Sequence, residues 1–376
     1  MRHEQDFTRR TIMGAGAMGL LCVATAGTSA RPKFVVPEVD SLSLQVVTDA
    51  AVFGPFLPDL NLTGMKVIRA GNGGAPHMPR MLPHALLGEF GLSILGESSR
   101  GSQRRRVMVD FGYSREVLSN NLTLLGIAPD SIDAAVLSHG HLDHYGGFAG
   151  LFGGPGGNAD RPHHLPLTVG GEETFCERVA QIGDPPPIMG ALDRSALAKA
   201  GYDVRIRPEP EIIADQAFTT GVIPLASFER AAIPTQMRPG VGCDRSLLSP
   251  AKRDQVQISD DGEHELATCY ALKGLGLVVI ASCSHRGVIN SVRRAQAVSG
   301  IDKVHAVIGG FHLVRPRTED EARRTVAEFA LIDPTYIIPM HCTGEVFIAE
   351  AMRLMPQKIV RSYVGSKFVF GENTQA

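Results

Sequence analysis

The residues best able to do chemistry lie in one short stretch, Ser138-His139-Gly140-His141-Leu142-Asp143-His144-Tyr145-Gly146-Gly147. Three histidines and an aspartate fall within six positions. His139 and His141 are two apart, so an extended backbone turns both rings to the same side. Asp143 and His144 follow where the chain must turn. Gly146 and Gly147 let the backbone pass close to whatever these side chains hold. Imidazole and carboxylate together suit zinc, iron or manganese. Four such groups would strain to close on one ion. They more easily serve two neighbouring ions, roughly 3.5–4 Å apart in two-metal hydrolases. A histidine-rich surface loop is the bland alternative, and it does not explain why an apolar run, Ala134–Leu137, leads straight into the cluster.

The run Ala134–Leu137 reads as a buried strand, which puts the motif at a strand end. Upstream, strands are expected at 41–48, 86–95 and 107–111, and a helix at 114–125 stopped by Gly126. Downstream, 162–169 reads as a strand, 172–182 and 195–200 as helices, and 219–225 as a strand. Asp184-Pro185-Pro186-Pro187 is a hard break. From 228 to 257 no period is clear, and the region around 151–258 reads as an insertion that shapes a substrate pocket. Regular alternation then returns: strands at 275–281, 303–308, 335–338 and 359–370, with helices at 288–298, 318–332 and 345–355. Histidines close three successive strands, at His285, His312 and His341. In layered α/β folds such strand ends assemble one site at one sheet edge. His77 and His84 lie in or beside a Gly/Pro-rich stretch, 61–83, that reads as a surface loop or a flap.

Ser-His-Gly-His-Leu-Asp-His resembles the H-x-H-x-D-H signature of the metallo-β-lactamase superfamily. With its flanks, over about residues 42–370, the chain most resembles the branch of 7,8-dihydropterin-6-methyl-4-(β-D-ribofuranosyl)aminobenzene-5′-phosphate synthase-like hydrolases. The resemblance implies an αββα sandwich: two mixed β-sheets face to face, helices on the outer faces, metals at one edge. It implies two divalent ions, with zinc expected and manganese, iron or a single ion open. His139, His141 and His264 are expected on the first, and Asp143, His144 and His341 on the second. Asp110, at the end of its strand, is expected to support the ligand loop from behind.

Where the superfamily places a bridging aspartate, this chain has Ser282-Cys283-Ser284-His285-Arg286-Gly287. His285 is the expected substitute ligand. Cys283 is expected beside the ions, either as a thiolate or as a buried neutral thiol. Arg286, just before a helix N-terminus, reads as an anion-binding group or as a solvated surface cation. His312 is a candidate proton donor to a leaving group, and Asp143 a group that orients the nucleophile.

The chain has 376 residues, 37 Lys+Arg against 39 Asp+Glu, and no Trp. This near-neutral balance lacks the basic stripe of a nucleic-acid binder. Thr8-Arg9-Arg10-Thr11-Ile12-Met13 precedes a Gly/Ala-rich apolar run and resembles a twin-arginine export signal over residues 1–30. That run is short for a membrane span. The expectation is a periplasmic or exported protein with one domain over 31–376 and no stable membrane insertion after signal cleavage. Cys176, Cys243, Cys269, Cys283 and Cys342 remain, and their spacings suggest no disulfide framework.

The expected activity is hydrolysis of a small phosphoester, lactone or other ester by a metal-activated water. The alternatives are a di-iron redox enzyme of the same fold, or a metal- or ligand-binding protein without turnover.

Overall fold

The computed structural model of the protein describes residues 34–52, 57–70, 85–152 and 164–371. His77, His84 and the expected export signal lie outside them.

Two mixed sheets pack face to face. The first has nine strands, built around Ser41–Thr48, Ser93–Arg100, Gln103–Val109, Ala134–Leu137 and Leu165–Val169. The second has seven, built around Thr268–Leu272, Gly276–Ile280, Val304–Gly309 and Tyr336–Pro339. Alternation in Ser41–Thr48 shows why they meet. Leu42, Leu44 and Val46 are buried while Ser41, Ser43 and Gln45 are partly exposed, so one face of the strand is apolar. That face joins Val109, Val136, Tyr270, Val278, Ile280, Ile308 and Ile338 in one core between the sheets.

The central strands are apolar on both faces because helices cover the outside. Arg115–Leu124 lays Leu118 and Leu122 on the first sheet. Val288–Ser299, Glu319–Ile332 and Glu345–Leu354 follow the strands of the second sheet. Phe311, Phe329 and Phe347, with ring centroids 5.4–5.9 Å apart, link the last two helices to that layer. Thr318 begins Glu319–Ile332 with a reciprocal capping box to Glu321. No helix among the described residues is long and apolar enough to cross a membrane.

Strand direction gathers the site. Gln103–Val109 runs parallel to Ala134–Leu137, so Asp110 and Ser138 emerge at the same edge. Gly276–Ile280, Val304–Gly309 and Tyr336–Pro339 are also mutually parallel, which brings Cys283, His312 and His341 to one end of the second sheet.

Several expectations change here. Residues 151–258 are not one insertion: Leu165–Val169 and Tyr202–Ile206 extend the first sheet in parallel, and Ala217–Thr219 pairs with the second. Only Glu177–Ala180, Ile188–Gly190, Thr235–Arg238 and Ile258–Ser259 form a separate four-stranded sheet. The expected helix at 172–182 is instead one 3-10 turn, Glu172–Phe175, followed by the strand Glu177–Ala180. Pairing with Thr235–Arg238 and a Cys176–Cys243 disulfide hold that segment extended. The spacings suggested no disulfide framework, and the Cys176–Cys243 bond corrects that expectation for this pair. The strand expected from 86 starts only at Ser93, and the last strand is Lys367–Gly371.

Candidate metal centre

Asp110 organises the histidine loop. Its carboxylate accepts Ser138 N at 2.7 Å and Ser138 Oγ at 2.8 Å, and it lies 2.7 Å from His144 Nδ1. A carboxylate can only accept, so His144 carries its proton on Nδ1 and leaves Nε2 as a lone pair. The same logic passes along the loop. Ser138 Oγ gives its hydrogen to Asp110 and accepts from His139 Nδ1 at 2.9 Å. His139 Nε2 is then also a lone pair, and it is buried without a partner.

His141 is turned the other way. Its Nε2 lies 3.2 Å from Thr235 Oγ1 and 3.6 Å from Asp260 Oδ2. Nε2 is the protonated nitrogen and Nδ1 is left for the site. Asp260 is fully buried, and although burial would raise its pKa, Arg178 at 2.8 Å and His141 hold it well below the usual range. His285 donates Nδ1–H to Ala232 O at 3.3 Å, which frees Nε2. The rings of His139, His141 and His285 form a triangle, with centroids 4.6, 4.8 and 4.7 Å apart.

Across from the triangle, Asp143 Oδ2 lies 3.3 Å from His341 Nε2 and 3.6 Å from His144 Nε2. Burial would raise the Asp143 carboxyl, but His144 and His341 outweigh it and hold it below the usual range. His341 is seated by Asp49, whose carboxylate accepts His341 N at 2.9 Å. Burial pushes the Asp49 carboxyl up to about 6. Burial, with His144 next, lowers His139 far below its usual value, and burial, with His312 next, does the same for His285. Both shifts favour the neutral imidazole, the form that can offer a lone pair to a metal.

Unpartnered, buried imidazole nitrogens are costly unless something binds them. Here the Nε2 atoms of His139, His144, His285, His312 and His341 all lack a hydrogen bond. That donor set fits divalent metal ions. His139, Cys283 and His285 form one group with donor atoms within 4.8 Å of one another, and His144, Cys283 and His341 form another. His312 stands next to them, with Nδ1 3.5 Å from Cys283 Sγ and its ring 4.3 Å from that of His285.

Two expected site residues do other work. His264 is not among the converging donors, because its Nε2 already accepts Gly140 N at 3.0 Å and lies 3.2 Å from Arg178 Nη2. It fixes the ligand loop in place, and His285 completes the triangle where His264 was expected. Arg286 is not a free cation. Its Nε donates to Ile223 O and its Nη1 to Asp261 O, at 2.5 and 2.8 Å. The helix N-terminus beside it is taken by the protein's own Glu229, which accepts Ile289 N and Asn290 N at 2.9 and 3.1 Å. The loop 282–287 is itself pinned by Glu265, which accepts His285 N and Arg286 N at 2.8 and 2.7 Å.

The glycines of the motif serve packing against protein. A Cβ on Gly147 would meet Phe111 O at 2.0 Å, one on Gly146 Tyr113 O at 2.1 Å, and one on Gly140 Thr174 O at 2.2 Å. Asp110, Ser284, His312 and His341 all have positive φ, between 43 and 59°. At Asp110, His312 and His341 the chain bends sharply toward the centre, while Ser284 Oγ donates to Gly310 O at 2.8 Å.

A cavity of about 130 Å³ opens on the centre. His141, Asp143, Cys283, His285 and His312 line its base, and Phe90, Leu142, Met189 and Pro234 its apolar walls. Asp260, Thr235, Asp49 and Cys342 escaped sequence reading. Asp49 had a usable signal, since it ends a strand as Asp110 does. Asp260 sits in an ordinary turn sequence, Ser259-Asp260-Asp261-Gly262.

Residues 100–225 match the family model described as the metallo-beta-lactamase superfamily. A 7,8-dihydropterin-6-methyl-4-(β-D-ribofuranosyl)-aminobenzene-5′-phosphate synthase of Methanocaldococcus jannaschii is 28% identical over 268 residues, covering 70% of this chain and 83% of that protein. An uncharacterized protein of the same organism is 27% identical over 243 residues, covering 64% and 80%. Among solved structures, a metal-dependent hydrolase of the β-lactamase superfamily superposes with a TM-score of 0.59 at 22% identity, over 87% of this chain and 98% of that one.

Proposed function

We propose that this chain is an enzyme of the metallo-β-lactamase superfamily, a metal-dependent hydrolase of small esters, with lactones and carboxylic esters preferred over phosphoesters. The observation that carries the reading is the clustering of buried, unpartnered imidazole nitrogens, grouped within 4.8 Å of one another, beside a cavity that His285 and His312 line. His139, His141 and His285 would hold one divalent ion, and Asp143, His144 and His341 a second. When bound, such ions supply Lewis acidity, which polarises the scissile group and makes water a nucleophile at neutral pH.

The chain's own residues do the rest. Asp143, kept ionised by its histidine neighbours, accepts a hydrogen bond from the attacking water and orients it. His312 lines the cavity with a free Nε2, which can take a proton from the attacking water and pass it to the departing oxygen. Phe90, Leu142, Met189 and Pro234 exclude water and favour an apolar group beside the scissile bond. Arg178 is the one arginine or lysine lining the cavity among the described residues, and it is bonded to Asp260, Glu173 O and Cys176 O. A strongly anionic substrate therefore finds no free cation on these walls, which favours neutral esters.

Export through the twin-arginine-type leader is part of the proposal. The Cys176–Cys243 disulfide supports it, since such bonds persist in oxidising compartments.

The test begins with elemental analysis of protein purified without added metal. It continues with metal-loaded protein on aryl esters, lactones, p-nitrophenyl phosphate and the pterin-linked phosphate in the relative's name. Lactone or carboxylic ester turnover that chelation abolishes is the expected result. Metal-replete protein that cleaves none of these compounds would overturn it.

A further inference from the structure

Cys283 sits where the donor groups meet. Its sulfur belongs to the group with His139 and His285, to the group with His144 and His341, and to a third with His312 and Cys342. Within each group all donor atoms lie within 4.8 Å of one another. Among the described residues no carboxylate occupies that central position: Asp143 lies to one side, against His144 and His341, and Glu265 is used up on backbone amides. Cys342 Sγ lies 3.2 Å from Cys283 Sγ, and His312 Nδ1 lies 3.5 Å from it. Both neighbours can donate a hydrogen bond to a sulfur anion.

We propose that Cys283 supplies the ligand shared between the two ions, a single sulfur linking the His139/His285 side to the His144/His341 side. On binding, the Cys283 S–H bond breaks, its proton leaves to solvent, and the sulfur lone pairs go to the ions. Cys342 remains a thiol and donates S–H to the shared sulfur. A sulfur at the centre shifts metal preference toward zinc, cobalt and cadmium and away from manganese and magnesium. The inference rests on the metal-centre reading above and adds to it the identity of the bridge.

Cobalt(II) titration of the metal-free full-length protein under anaerobic conditions tests it. A sulfur-to-cobalt charge-transfer absorption should grow with both the first and the second equivalent. Cys283→Ser should abolish the absorption and Cys342→Ser should keep it. Cys283→Asp should bind two ions without the absorption and lose most of the preference for zinc over manganese. Cadmium-113 NMR of the unmodified protein gives a readout that needs no variant: two resonances, both displaced by sulfur ligation, are expected.

Two cobalt ions bound with no charge-transfer absorption would overturn the bridge and leave the metal-centre reading standing. An absorption complete at one equivalent, or one displaced cadmium resonance of two, would make Cys283 a ligand to one ion only and also overturn it. Survival of the absorption in Cys283→Ser with loss in Cys342→Ser would move the role to Cys342. Failure to bind any metal would bring down both readings.

Discussion

The histidine loop at 138–147 and the cysteine loop at 282–287 are built by the same device and used differently. Each leaves the end of a buried strand, and each is pinned by one buried carboxylate. Asp110 serves the first and Glu265 the second. Asp110 reaches past the backbone to the His144 ring and, through Ser138, sets the His139 ring. Glu265 touches only backbone amides, and a carbonyl, Ala232 O, orients the His285 ring instead. One carboxylate therefore fixes which nitrogen of a histidine ring is free, while the other fixes only where a loop lies. Environment reflects this: burial raises the Glu265 carboxyl above its ordinary range despite its two amide donors.

The difference can be broken in order of size. His139→Ala removes a lone pair from the triangle, so bound metal should fall and ester turnover should drop on the order of 10³-fold, about 4 kcal/mol in barrier. Unchanged metal content by elemental analysis would remove His139 from the centre. Asp110→Asn puts an N–H against the protonated His144 Nδ1. Metal affinity, measured by chelator competition, should fall roughly 10–100-fold. Glu265→Gln keeps one acceptor for two amides, so it should cost about 1–3 kcal/mol in denaturant unfolding while metal affinity stays within about threefold. Equal metal losses for Asp110→Asn and Glu265→Gln would erase the distinction drawn above.

The smallest effect on the centre is expected at Glu229, which caps the helix leaving the cysteine loop. Burial raises its carboxyl from 4.5 to about 7. Between those values the folded chain holds a proton that the unfolded chain has lost, so stability should decline as pH rises from about 4.5 to about 7. The fall is at most on the order of 3 kcal/mol. Glu229→Gln should flatten that slope in metal-free protein and leave metal affinity alone. An unchanged slope would assign the pH dependence to other groups.

Much of the architecture was legible because apolar runs announce buried strands. The runs ending at Thr48, Val109, Leu137, Ile280, Gly309 and Pro339 lead into Asp49, Asp110, the histidine loop, the cysteine loop, His312 and His341. The helix Glu319–Ile332 was legible because its apolar residues recur at helical spacing, and Ala322, Val326 and Phe329 are the ones buried. What failed depended on distant partners. His264 stands at a strand start like a ligand, but a nitrogen that accepts Gly140 N has no lone pair left for a metal. Arg286 looked available for an anion, yet the carbonyls that absorb it belong to Ile223 and Asp261. The segment at 172–182 has no strong period of its own. It is extended because Cys176 meets Cys243, 67 positions away, and because Arg178 is drawn inward to Asp260.

The left-handed backbone at Asp110, Ser284, His312 and His341 bears on how this protein can change. A side chain in that region costs on the order of 1–3 kcal/mol, and glycine would relieve it. At Asp110, His312 and His341 the stability optimum and the functional optimum therefore pull apart. Selection for heat resistance alone would drift toward glycine there, and toward a sturdier chain with an emptied centre. Variants chosen for turnover should keep the side chains of Asp110, His312 and His341 and gather their stabilising changes elsewhere.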